Sequence, residues 1–183
     1  PPTAAEAELN GHVGNDAGRF DAARERRTGI PEAVIAAGKT PAETATMAVT
    51  AVETTDSALV TRLDAEAVET CRRRLEDRFP DVDIDHDSRA RTLVAHAPGY
   101  EAPSLDATVA VVTAGTSAKF PAGAAAVVAR AAGATVEEID DLGVAGIARP
   151  FDNLESLRAP HVPLLPPRRA GPLPPVLSGP APR

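Results

Sequence analysis

The chain has 183 residues, a formal net charge of -7 and one cysteine. That length is enough for one sizeable core, while the charge is too acidic to supply the dense cationic stripe that nucleic-acid phosphates select. A lone cysteine excludes an internal disulfide framework and a cysteine-rich zinc site. No segment approaches the roughly 20 apolar residues of a membrane span, and the N-terminus lacks the basic-then-apolar order of a signal peptide. The expectation is a soluble, cytoplasmic protein with neither a nucleic-acid nor a membrane partner.

Residues 1–15 are small and polar without periodicity and read as a mobile arm. From Asp16 the stretch GRFDAARERRTGIPEAVIAAGKTPAE predicts a short charged helix, a break at Gly29, Ile30 and Pro31, and an extended piece through Val34 and Ile35. A helix follows, with Thr40 as cap, Pro41 in the first turn and Glu43 completing a capping box. SALVTRL reads as a strand. DAEAVETCRRRLEDRF reads as an amphipathic helix capped by Asp64, with Val68, Cys71, Leu75 and Phe79 as its apolar stripe.

That stripe bears on Cys71. Arg72, Arg73 and Arg74 are the kind of neighbours that lower a thiol pKa, but the helical spacing favours a small buried hydrophobe. Packing is the stronger reading. In DVDIDHDSRARTLVAHAPGY the alternation predicts one or two short strands around a polar turn. His86 lies among Asp83, Asp85 and Asp87, yet alternation sends adjacent side chains to opposite faces, so a solvated hairpin tip is favoured over a metal site. His96 reads as an ordinary strand-end residue.

DATVAVVTAG is a continuous apolar strand, FPAGAAAVVARAAG a helix ended by Gly133, and ATVEEIDD a second strand. This is a βαβ unit and implies a parallel sheet. A loop, GVAGIARP, and a short helix around NLESLRA follow. From Pro160 onward, PHVPLLPPRRAGPLPPVLSGPAPR is proline-rich and reads as disordered or loosely draped.

Ligands of open parallel sheets bind beyond the carboxyl ends of the strands, where loops meet helix N-termini. Thr113, Gly115, Thr116 and Ser117 follow the first strand, and Gly143, Val144, Ala145 and Gly146 follow the second. Hydroxyls and unobstructed backbone N–H groups suit a phosphate or carboxylate. No complete dinucleotide fingerprint or Walker sequence is present, so ordinary packing turns remain the other reading.

These residues carry a family likeness. VVTAGTS followed by GATVEEIDDLGVAGIAR resembles the PurE-like carboxylase domain of LarB proteins, which make an early intermediate of the nickel-pincer nucleotide cofactor. Upstream, FDAARERRTGIPEAVIAAGKTPAE is similar to that family's N-terminal signature: an acidic residue, an R-x-x-R pair, G-x-P-E and G-K-T, in order. The likeness runs from about Arg19 to Arg158.

The resemblance implies an α/β fold: an incomplete flavodoxin-like (PurE-type) parallel sheet over 105–159, preceded by a small α+β region over 16–104 and followed by the tail, 160–183. It implies a homo-oligomer that carboxylates the pyridinium ring of nicotinic acid adenine dinucleotide with CO2 or bicarbonate and releases AMP, a Mg2+ requirement being left open. The product is a pyridinium biscarboxylic acid mononucleotide. A cysteine thiolate that adds to the ring supplies covalent catalysis. The implied substrate contacts are Thr113, Gly115, Thr116, Ser117, Gly143, Ala145 and Gly146. Arg24, Arg27, Glu32 and Lys39 of the signature are expected at substrate or at an interface, the alternative being a solvated charged helix. The chain departs from the pattern at Ala118, where the family has aspartate, and at Ala148, where it has histidine. The family's nucleophilic cysteine lies beyond the equivalent of residue 160, where this chain has its proline-arginine tail. A truncated or frameshifted gene, and an impaired enzyme, are the expectation; a non-catalytic nucleotide-binding module or a nonfunctional remnant is the alternative.

Overall fold

The computed structural model describes residues 11–113, 119–139 and 162–164, which divide between Pro103 and Ser104 into two compact units. The first unit runs β1 (Val13–Asn15), β2 (Gly18–Phe20), α1 (Arg24–Thr28), β3 (Ala33–Ile35), α2 (Pro41–Thr55), β4 (Ser57–Thr61), α3 (Ala65–Arg78), β5 (Asp83–Asp87) and β6 (Thr92–His96). Strands β3, β4, β6 and β5 form one sheet in that order, parallel between β3 and β4 and antiparallel elsewhere.

Local chemistry sets the helix ends. The Thr40 hydroxyl accepts from the Glu43 N–H at 3.2 Å while the Glu43 carboxylate accepts from the Thr40 N–H at 2.7 Å. This reciprocal cap satisfies two donors that the helix itself leaves unpaired. Asp64 caps α3 through the Ala67 N–H at 2.8 Å.

Both helices bury their apolar stripes against one face of the sheet. Ala45, Ala48 and Ala51 of α2 and Cys71 and Leu75 of α3 are fully buried, against Val34, Ala58, Val60, Leu93 and Ala95 of the strands. The small residues on α2 let the two helices approach closely, and Arg78 bridges them at the surface by donating to Glu53 at 2.8 Å. The stripe read from the sequence of α3 is the observed one, with Val68 and Phe79 partly buried against the same core.

Two parts of the sequence reading need correction here. Residues 13–15 are no arm: they pair with 18–20 as a hairpin. The Asn15 amide donates to Thr50 at 2.8 Å, and its oxygen accepts from the Ala17 N–H at 2.8 Å. One side chain thus closes the turn and ties the hairpin to α2. His86 is also not at a hairpin tip; it lies within β5, half-buried, on the helix side with Ile84. The three aspartates share the other face, so the separation expected from alternation holds.

The second unit has a parallel sheet in the order β8 (Thr135–Ile139), β7 (Thr108–Val112), β9 (Val162–Leu164). Helix α4 (Lys119–Ala131) joins β7 to β8, with Ala122 and Ala126 packed on Val111. The βαβ unit is as read. The correction is β9. The tail was expected to be disordered, but Val162–Leu164 pairs with Val109–Val111. Pro163 fits there because an edge strand has one side whose backbone groups need no sheet partner. Among the described residues no helix is long and apolar enough to cross a membrane.

Candidate functional site

Strands β7 and β8 run parallel and in register, Val112 beside Ile139, so both chains leave the sheet at the same end. Thr113 extends the ladder by one bond, its N–H donating to the Ile139 carbonyl at 2.9 Å, and its side chain is buried. The carboxyl ends of two parallel strands followed by loops are the geometry that seats anions in open α/β sheets. Gly115, Thr116, Ser117, Gly143, Ala145 and Gly146, with Ala118, Ala148 and the helix expected around NLESLRA, lie outside the described residues.

The charges of the N-terminal signature are engaged within the first unit. Arg27 meets Asp21 through two bonds, at 3.0 and 2.5 Å. The hydrogen bond to Arg27 holds the Asp21 carboxyl below its ordinary value, and the same pairing pushes the guanidinium up. Arg24 lies 3.5 Å from Glu32, and Lys39 donates to the Ile35 carbonyl at 3.2 Å. Of these, the Arg24–Glu32 pair spans the break at Gly29, Ile30 and Pro31, tying the start of α1 to the residues that enter β3. A recess beside them, lined by Asp21, Glu25, Pro31, Glu32, Ser57 and Leu59, has about 10 Å³ of room. That suits one water and is far below the roughly 300 Å³ at which small-molecule pockets begin.

Cys71 is fully buried, and burial pushes its thiol up to about 12. A thiol so placed is no nucleophile at neutral pH, because the thiolate is the reactive form. The packing reading of Cys71 stands. Among the described residues no group of three His, Cys, Asp or Glu side chains could hold a metal ion.

One cluster was missed in the sequence. The register places Ser57, His96 and Asp83 in a row across β4, β6 and β5, and Tyr100 folds back to stack on His96 with ring centroids 4.3 Å apart and 6° between planes. The residues come from four separate stretches, so only strand pairing could have shown them. The Ala97-Pro98-Gly99-Tyr100 turn is the local signal for the last of them.

The first unit is a small α/β domain whose two longer helices, α2 and α3, lie on one face of a mixed sheet. The second carries a parallel strand-helix-strand. Residues 13–97 match the family model of the LarB/PurE-like N-terminal domain. The first unit carries that LarB/PurE-like N-terminal domain, and the α/β architecture is consistent with a PurE-like fold. No curated protein matches the chain.

Proposed function

We propose that this chain is a LarB-type protein that binds nicotinic acid adenine dinucleotide at the loops after β7 and β8. The inferred reaction is carboxylation of the pyridinium ring by CO2 or bicarbonate with cleavage of the phosphoanhydride, giving AMP and the biscarboxylated mononucleotide. The observation that carries the reading is the LarB/PurE-like N-terminal domain at 13–97 preceding a parallel strand-helix-strand. Thr113, Gly115, Thr116, Ser117, Gly143, Ala145 and Gly146 are the proposed substrate contacts, by N–H groups and hydroxyls directed at phosphate. Arg24, Arg27, Glu32 and Lys39 have a supporting role in this reading, since their charges are engaged around the turn into β3. A cytoplasmic homo-oligomer, with Mg2+ an optional companion of the phosphates, completes the proposal.

A second reading is favoured by Cys71. The one cysteine of the chain is locked in the core, and Ala118 and Ala148 stand where the family has acid and imidazole groups. Binding without turnover by this chain alone follows from that chemistry. The test is thermal unfolding with nicotinic acid adenine dinucleotide, run beside AMP release in bicarbonate buffer with and without Mg2+. A raised melting temperature with AMP release supports the synthase. A raised melting temperature without it supports the binding module, and no shift at saturating dinucleotide overturns both.

A further inference from the structure

His96 ends β6 on the sheet face opposite α2 and α3, and the chain reverses directly after it. The Ala97 N–H donates to the Asp56 carbonyl at 2.8 Å, and the Tyr100 N–H returns to the Ala97 carbonyl at 3.1 Å. Pro98 and Gly99 occupy the centre of that turn, and Gly99 has φ 82, a conformation that a residue with a Cβ adopts only under strain. The turn lays the Tyr100 ring flat on the imidazole. Residues beyond it, Glu101 to Pro103, end the first unit. The stack is therefore the last side-chain anchor described before the chain leaves that unit.

The imidazole is held with one nitrogen short of a partner. His96 Nδ1 is buried and makes no hydrogen bond. Neutral imidazole tolerates this, because Nδ1 can be the lone-pair nitrogen while the proton sits on Nε2. Imidazolium cannot, since both nitrogens become donors and a buried charged donor without an acceptor is costly. Face-on stacking does not help, because the ring N–H bonds lie in the plane and point past the tyrosine.

The groups around the ring divide. From β5, Asp83 sits directly opposite and favours the charged form; from β4, Ser57 is uncharged; from the turn, Tyr100 is a neutral phenol, and Glu25 of α1 adds negative charge near it. Burial outweighs Asp83 and holds the imidazole below its ordinary value.

We propose that His96 and Tyr100 form a proton-operated latch on the segment leading out of the first unit, closed with neutral imidazole and open with imidazolium. To find an acceptor for the new N–H, the protonated ring swings toward water, and the tyrosine loses its platform. The latch is independent of the nucleotide reading. It would respond to mild acidification.

Tyr100 is the only tyrosine and the chain has no tryptophan, so intrinsic fluorescence of the full chain reports on this one ring. The experiment is acrylamide quenching of that fluorescence as pH falls from roughly 7.5 to 5 across the histidine range, with far-UV circular dichroism alongside. The expected result is a rise in quenching below the ordinary histidine pKa with unchanged dichroism. His96→Phe keeps a stacking surface and should remove the step. Asp83→Asn keeps the step and moves its midpoint to lower pH. If His96→Phe does not fold, His96→Gln replaces it as the non-titrating variant. A flat wild-type profile, a step that survives in the non-titrating variant, or a step that coincides with loss of dichroism overturns the latch.

Discussion

Leu63 and Arg91 hold each other by opposed hydrogen bonds. The Leu63 N–H donates to the Arg91 carbonyl at 3.1 Å, and the Arg91 Nε donates to the Leu63 carbonyl at 2.6 Å. A further bond runs from the Arg91 guanidinium to the Arg62 carbonyl at 3.1 Å. The clamp joins the loop after β4 to the turn of the β5–β6 hairpin. It also holds two non-glycine residues in left-handed conformations, Arg62 at φ 60 and Arg91 at φ 54. Arg91→Ala removes the side-chain donors and keeps the strained backbone, so a loss of about 1 to 2 kcal/mol is expected. Arg91→Gly also removes the donors but relieves the strain, and should lose less. Urea unfolding midpoints of the two variants give the comparison.

Thr40→Ala removes the hydroxyl half of the cap on α2 and should cost about 1 kcal/mol in chemical unfolding. The other half is pH-sensitive. Hydrogen bonding by the Thr40 N–H, then by its hydroxyl, holds the Glu43 carboxyl below its ordinary value of 4.5. A carboxyl depressed in the folded state adds stability above its unfolded pKa and loses it as pH falls through the folded one. Glu43→Gln should therefore flatten the stability profile on the acid side of pH 4.5 and leave its slope near neutrality unchanged.

Gly11 has φ +66, and a Cβ there would stand 2.9 Å from the Ala23 Cβ. Both the backbone and the space select glycine. Gly11→Ala should destabilise the first unit by about 1 to 3 kcal/mol, whereas an alanine at Gly14, which meets nothing within 4 Å and has no positive φ, should cost far less. A thermal melt of each variant decides it.

Cys71 should resist thiol reagents in the native protein and react promptly in denaturant. Rapid labelling of the folded chain would show that α3 opens or that the thiol is not where packing puts it. Cys71→Ala should leave dinucleotide binding unchanged while lowering stability, since it empties space in the core. Cys71→Ser should be worse than alanine, because it leaves a buried hydroxyl to be satisfied.

Local patterns made much of this fold readable. Thr40, Pro41 and Glu43 announce α2, and the spacing of Val68, Cys71, Leu75 and Phe79 places α3 and its buried face. The alternation after Asp81 and the β-branched run before Thr113 announce strands. What escaped depends on partners distant in sequence. Asn15 reads as a polar arm residue until Thr50 is beside it, and His96 reads as a strand end until register brings Asp83 opposite. Val162–Leu164 is hidden by its prolines, because composition describes the tail as a whole while an edge strand needs only three residues. The strands that lead to the proposed anion site were legible as β-branched runs, and the register of Val112 with Ile139 shows that both end on the same side of one sheet.

The four-stranded sheet has two unlike borders. On β5, Asp83, Asp85 and Asp87 stand exposed on one face; β3 presents Ile35, which is 46% exposed, and among the described residues it pairs only with β4. Accretion of a foreign strand is thus directional, since a newcomer at β5 meets a picket of carboxylates and one at β3 meets an aliphatic side chain. A sample that clumps should do so from the β3 side, and one solubilising charge introduced at Ile35 would guard that border.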